Sequence, residues 1–185
     1  MDFNTNELID NWHANAENAA YMLHSNELMG QCLVVMYASI DAMGLLNAAN
    51  SVDQASSETF KTWVKDYLLP NGKFRCNEMD LWAARCGILH TFTSGSNLSA
   101  KGAARQIQYY GSQDWSEQYL KKLDSIASDT LGEAAVFQSS YSLYDAYIVG
   151  LGRFANDLKA LCKQDVAKAE RMKRVLGVFA VKRNS

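Results

Sequence analysis

The stretch Asp80-Leu81-Trp82-Ala83-Ala84-Arg85-Cys86-Gly87-Ile88-Leu89-His90-Thr91 is an apolar, helix-favouring run that holds one arginine and one histidine five positions apart. Asn77 and Asp80 precede it with the spacing of a helix N-terminus, where a capping oxygen is answered by an acid one turn in. The pattern predicts a helix from there to about Phe92. Arginine keeps its charge at any ordinary pH and histidine titrates near neutrality. Those two residue types can hold and cleave a phosphodiester. The competing reading is an arginine at a helix surface and a histidine packed in a core.

Working outward, apolar residues recur at helical spacing. Asn4, followed three positions later by Glu7, opens a first helix through about His24, with Leu8, Trp12, Ala16, Ala20 and Leu23 on one stripe. A second helix, about 27–48, is apolar on nearly all sides through Leu33, Val35, Met36, Ile40, Met43 and Leu46, the pattern of a central helix. Asp41 is the charge set inside it. Ser56 or Ser57 caps a third helix carrying Phe60, Trp63, Val64, Tyr67 and Leu68, which Pro70-Asn71-Gly72 ends. After the Arg/His helix, 93–97 is a loop. Residues 105–110 allow a short strand that 134–138 can pair with. Asp114, with Glu117, starts a helix over 115–131. A long helix over 141–162 and a basic amphipathic helix over 166–179 complete the chain. The fold class is mainly α, with helices 4–95 as a core, a C-terminal helical part from 100 onward packed on it in a single domain, and an optional two-stranded β element.

Composition narrows the functional classes. The 48% hydrophobic and 21% charged content is that of a globular protein. A domain of 185 residues hides roughly 70% of the surface its unfolded chain exposes, so a sizeable core is available. The net charge of −2 does not mark the whole chain as a nucleic-acid binder. Residues 159–185, however, set eight Lys or Arg against Asp165 and Glu170, a local +6 that leaves −8 on the rest. Lys168, Arg171 and Arg174 are candidate phosphate or acidic-partner contacts there, together with Lys173, Lys182 and Arg183; a solvated terminal helix is the alternative. Cys32, Cys76, Cys86 and Cys162 make no Cys-x-x-Cys pair and read as free thiols, so a reducing cytoplasm is the expected compartment. No signal peptide is expected from Asp2, Asn4, Asn6 and Glu7, and the apolar run 32–37 is too short for a membrane span.

The spacing Arg85-x4-His90, on the fourth helix after two long helices and a shorter third, resembles the R-x(4–6)-H motif of the HEPN superfamily over about residues 4–95. That resemblance implies an antiparallel helical bundle and a metal-independent endoribonuclease, of the sort used in toxin–antitoxin and phage-defence systems. It implies His90 as general acid or base, Arg85 as stabiliser of charge on phosphorus, and RNA as substrate because the 2′-hydroxyl is the nucleophile. Asp41 is a candidate to orient His90, or else to face Arg85. Where many members place a polar residue after the arginine, this chain has Cys86. Positions five apart on a helix lie about 140° apart, so the two side chains do not converge in one chain. The resemblance therefore implies a homodimer whose two motifs line one cleft, and Gly87 offers a place for local distortion. A non-catalytic nucleotide- or protein-binding module with the same groove is the alternative function, and an antitoxin or other protein is a possible partner.

The remaining signals point to packing. His13 and His24 lie three turns apart with no third ligand, so no metal site and no cofactor is expected. Tyr141, Tyr144 and Tyr147 have the spacing of a base-stacking stripe or of half-buried core, and Trp12, Trp63, Trp82 and Trp115 read as core anchors.

Overall fold

The computed structural model describes residues 4–177. The expected end of the last helix at Phe179, and the basic residues Lys182 and Arg183, lie outside the described residues. The fold is mainly α with one short pair of strands, as the periodicity predicts.

Local chemistry sets the element ends. Helix α1 (Thr5–Ser25) is capped by Asn4, which accepts from the Asn6 amide at 3.0 Å rather than forming a box with Glu7. Helix α2 (Met29–Asn47) begins two residues later than its apolar pattern suggests. Glu27 there has a φ of +59°, a left-handed conformation that a helix cannot incorporate. Helix α3 (Ser57–Trp63) starts in a reciprocal box between Ser56 and Thr59, then continues through a π turn (Val64–Leu68) and a 3-10 turn (Leu69–Asn71). Helix α4 (Glu78–Thr91) opens on the predicted Asn77/Asp80 box and stops at Phe92, whose φ is +57°.

A short helix α5 (Asn97–Ala100), capped by Ser96, stands at the end of the expected loop. Strand β1 (Gln106–Tyr110) pairs in parallel with β2 (Ala135–Ser139), in register from Gln106 opposite Ala135 to Tyr110 opposite Ser139. Parallel strands need a crossover. Here that is helix α6 (Glu117–Leu131), capped by Ser116 and not by Asp114. Strand β2 runs without a loop into α7 (Ser140–Gln164), and Asp165 then caps α8 (Val166–Leu176).

One apolar cluster extends from Leu8 on α1 to Leu176 on α8. Its centre is built by both halves of the sequence. Trp63, fully buried, stacks on Tyr67 at 5.6 Å and meets the edge of Phe154 from α7 at 6.2 Å. The Tyr67 hydroxyl donates to Asp157 at 3.1 Å. Residues beyond 100 thus complete the core that α1 to α4 begin. Helix α2 has the length and mean hydropathy (1.5) of a membrane-crossing helix, more than the short run 32–37 suggests. It packs with α1, α3, α4 and α7, and 44% of its apolar span is buried there.

Candidate functional site

Helices α2 and α4 lie antiparallel, with Arg85 against Asp41 near one end of their contact and Phe92 against Gly30 near the other. Arg85 donates from Nε to Asp41 Oδ2 at 2.8 Å, and its NH2 reaches the same oxygen. Its guanidinium carbon stands 4.9 Å from the centre of the Trp82 ring, a cation–π distance. Burial pulls against the charge on this arginine. The Asp41 hydrogen bond and carboxylate, with Cys86 beside it, more than offset that and raise the Arg85 pKa above its ordinary value. Asp41 therefore serves Arg85 and not His90. Its second oxygen, Oδ1, is buried with no hydrogen-bond partner among the described residues.

His90 is exposed. It borders a shallow groove with Gln31, Val34 and Val35 of α2 and Leu89 of α4. Val34 lies two helical turns from Asp41, and Leu89 one turn from Arg85, so this groove leads along the helix pair toward the Arg85–Asp41 pair. Helix α4 is regular across Arg85 and His90, which puts them about 7.5 Å apart along the axis and on different faces. The expected distortion at Gly87 is not present. A Cβ there would lie 2.3 Å from the Gly95 carbonyl oxygen and 2.4 Å from that of Thr93. Glycine lets the loop after α4 lie directly on the helix.

The basic C-terminal residues do something other than expected. Lys168 and Arg171 are only 6% and 5% exposed. Lys168 Nζ donates to the carbonyls of Leu46 at 2.9 Å and Ala48 at 2.6 Å. Arg171 donates to Ala49 O at 2.6 Å and to Val52 O. Together they close the C-terminal end of α2, where free carbonyls attract cations. Desolvation lowers the pKa of both. Neither presents its charge to a phosphate, which corrects their assignment as substrate contacts. Arg174 is exposed, 3.9 Å from Asp53, and is not near the groove.

Of the other candidates, Tyr147 is buried, while Tyr141 and Tyr144 enclose His24. The His24 ring stacks on Tyr144 at 3.9 Å and meets Tyr141 edge-on at 4.6 Å. The four cysteines are free, three of them buried and Cys86 half-buried. Among the described residues no three His, Cys, Asp or Glu side chains gather as a metal site.

A deeper concavity adjoins the groove and shares Ile88 and Phe92 with it. It has a volume of about 540 Å³ and is built from four separate stretches of chain, around Met29, Phe92, Tyr110 and Tyr141. The sequence reading missed it. The available signal was a tyrosine-bearing strand followed by Gly111-Ser112-Gln113, because ligands favour the carboxyl ends of parallel strands. No protein-family model, no curated protein and no solved structure matches this chain.

Proposed function

We propose that the chain is a metal-independent endoribonuclease of HEPN type, acting as a cytoplasmic homodimer in a toxin or defence system. One observation carries this reading: α4 bears both a half-buried arginine, paired with Asp41 of α2 and set against Trp82, and an exposed histidine at the edge of an α2–α4 groove. Arg85 supplies a fixed positive charge for the phosphorus-bound oxygens. His90, free at the groove edge, moves the proton of the 2′-hydroxyl or of the leaving oxygen. The separation along α4 leaves half a site in each chain, and the partly exposed Val34, Val35 and Leu89 supply an apolar seam for a second copy.

A second reading, a non-catalytic nucleotide- or protein-binding module, is favoured by a different observation. Both donors of Arg85 noted above already go to Asp41, and the neighbouring position offers a thiol rather than a strong polar group. RNA cleavage in EDTA by the wild type, Arg85→Ala and His90→Ala separates the two. Cleavage by the wild type that both substitutions abolish supports the enzyme. Equal background from all three rejects it, and RNA binding without cleavage selects the module. In the enzyme reading Val35→Glu yields a monomer by sedimentation and loses cleavage as well.

A further inference from the structure

The concavity beside the groove has a specific chemical character. Its walls include the rings of Phe92, Tyr109, Tyr110 and Tyr141, and no Lys, Arg or His lines it. The tyrosines are held by partners outside it. The Tyr109 hydroxyl bonds that of Tyr37, Tyr110 stacks on Trp115 at 4.8 Å, and Tyr141 abuts His24. An open recess of this size walled by aromatic side chains, without cations, suits a flat, polar, uncharged ring rather than a phosphate.

The polar groups narrow the choice. Glu27, an exposed residue of the rim, offers a carboxylate there. One residue on, Leu28 caps α2 without a side-chain hydrogen bond, so the amides of Met29 and Gly30, both residues of the cavity wall, have no partner within the helix. N–H donors beside a carboxylate acceptor complement a ring edge that offers a carbonyl next to adjacent N–H groups. Guanine has that edge, in O6, N1–H and the 2-amino group. Adenine puts an amino donor where the site already has donors. Ser94 adds a hydroxyl that accepts from Gln106 Nε2 at 3.2 Å and so keeps its own proton to donate. Glu27 and Phe92 are the two non-glycine residues with positive φ among those described, and both line this cavity.

We propose that this cavity binds a guanine base, with Glu27 and the α2 amides reading its edge and the aromatic side chains of the wall packing against the ring. It needs no catalysis at the groove and stands whether or not the chain cleaves RNA. Where RNA is cleaved, the shared residues Ile88 and Phe92 place the cut beside a bound guanosine.

The test is titration of the full chain with guanosine and with adenosine, followed by calorimetry and by tryptophan fluorescence. Guanosine should bind with a Kd below ~1 mM and at least about tenfold more tightly than adenosine. Glu27→Gln should weaken guanosine by about tenfold or more, the loss expected of a charged hydrogen bond, with an unchanged melting temperature. Tyr141→Leu keeps the carboxylate and should weaken guanosine as well, which covers the case in which the Glu27 variant is misfolded. Equal affinity for the two nucleosides, no binding to the wild type, or full affinity in a folded Glu27→Gln protein overturns the assignment. Choline binding more tightly than guanosine also overturns it, because the cavity would then be a cage for organic cations.

Discussion

Asp41 and Arg85 are joined through a single carboxylate oxygen. Nε and NH2 of the guanidinium both reach Oδ2, while Oδ1 stays buried and unpartnered. The pair is thus well attached on the arginine side and under-satisfied on the aspartate side. Removing either partner leaves a different remnant, and the two should not cost the same.

Arg85→Met strands a carboxylate whose free oxygen is already out of water, and should destabilise the protein by about 3 kcal/mol. Asp41→Asn keeps an acceptor for a guanidinium that still lies over Trp82, and should cost about 1 kcal/mol. Urea unfolding of both variants and of the double substitution gives the coupling. A larger loss for Asp41→Asn than for Arg85→Met would contradict this account.

Gly87→Ala gains helix propensity and should still lose stability. The new Cβ would meet two carbonyl oxygens of the following loop at 2.3 and 2.4 Å, and backbone cannot rotate out of the way as a side chain can. A net loss of about 2 kcal/mol is expected, with faster amide exchange over 93–96. Unchanged exchange in that loop would show that α4 and the loop are not clasped.

Lys168→Met should lower stability by about 2 kcal/mol, because carbonyls at the end of α2 lose a charged donor. The same substitution should leave the salt dependence of any RNA binding unchanged. A shallower salt slope would restore Lys168 to the substrate surface.

Alkaline pH should unfold the protein early. Desolvation raises Cys32 to about 11 and Cys76 to about 12, lifts Tyr67 and Tyr147 to about 12, and raises Tyr37 and Tyr109 as well. The folded state therefore holds these protons more tightly than the unfolded chain does. Their contribution is complete below the unfolded values, roughly 8.5 for thiols and 10 for phenols, and is lost as pH rises toward the folded ones. Melting temperature should be flat from pH 7 to 8 and then fall, less steeply above pH 10 in Tyr109→Phe. A melting temperature that rises between pH 9 and 11 would contradict the sign.

What could be read in the sequence was what neighbours in the chain decide. The Asn77/Asp80 box is a contact across three residues, and its pattern gives the start of α4 correctly. The strand pair was legible as two short stretches, 105–110 and 134–138, but its parallel register depends on where α6 lies. Ser116 rather than Asp114 caps α6, a choice between adjacent oxygens that composition does not decide. The partners of Lys168 and Arg171 are carbonyls some 120 residues away, so a pattern of basic residues resembled a solvated face. At the candidate site, the sequence named Arg85, His90 and Asp41 and left open which of the first two the acid serves. The cavity proposed for guanine escaped because its four stretches lie far apart in the chain and each supplies only a few groups, and backbone donors leave no trace in residue type.

The direct passage from β2 into α7 has a consequence for the whole interior. Ser139 is both the last paired residue of the strand and the cap of the helix, so no slack separates them. A slip of one residue in the strand register would turn α7 by about 100°, swinging Tyr147 and Phe154 out of the core and carrying Tyr141 away from the cavity. A ribbon of five residue pairs thereby acts as the index mark that sets the rotation of a 25-residue helix.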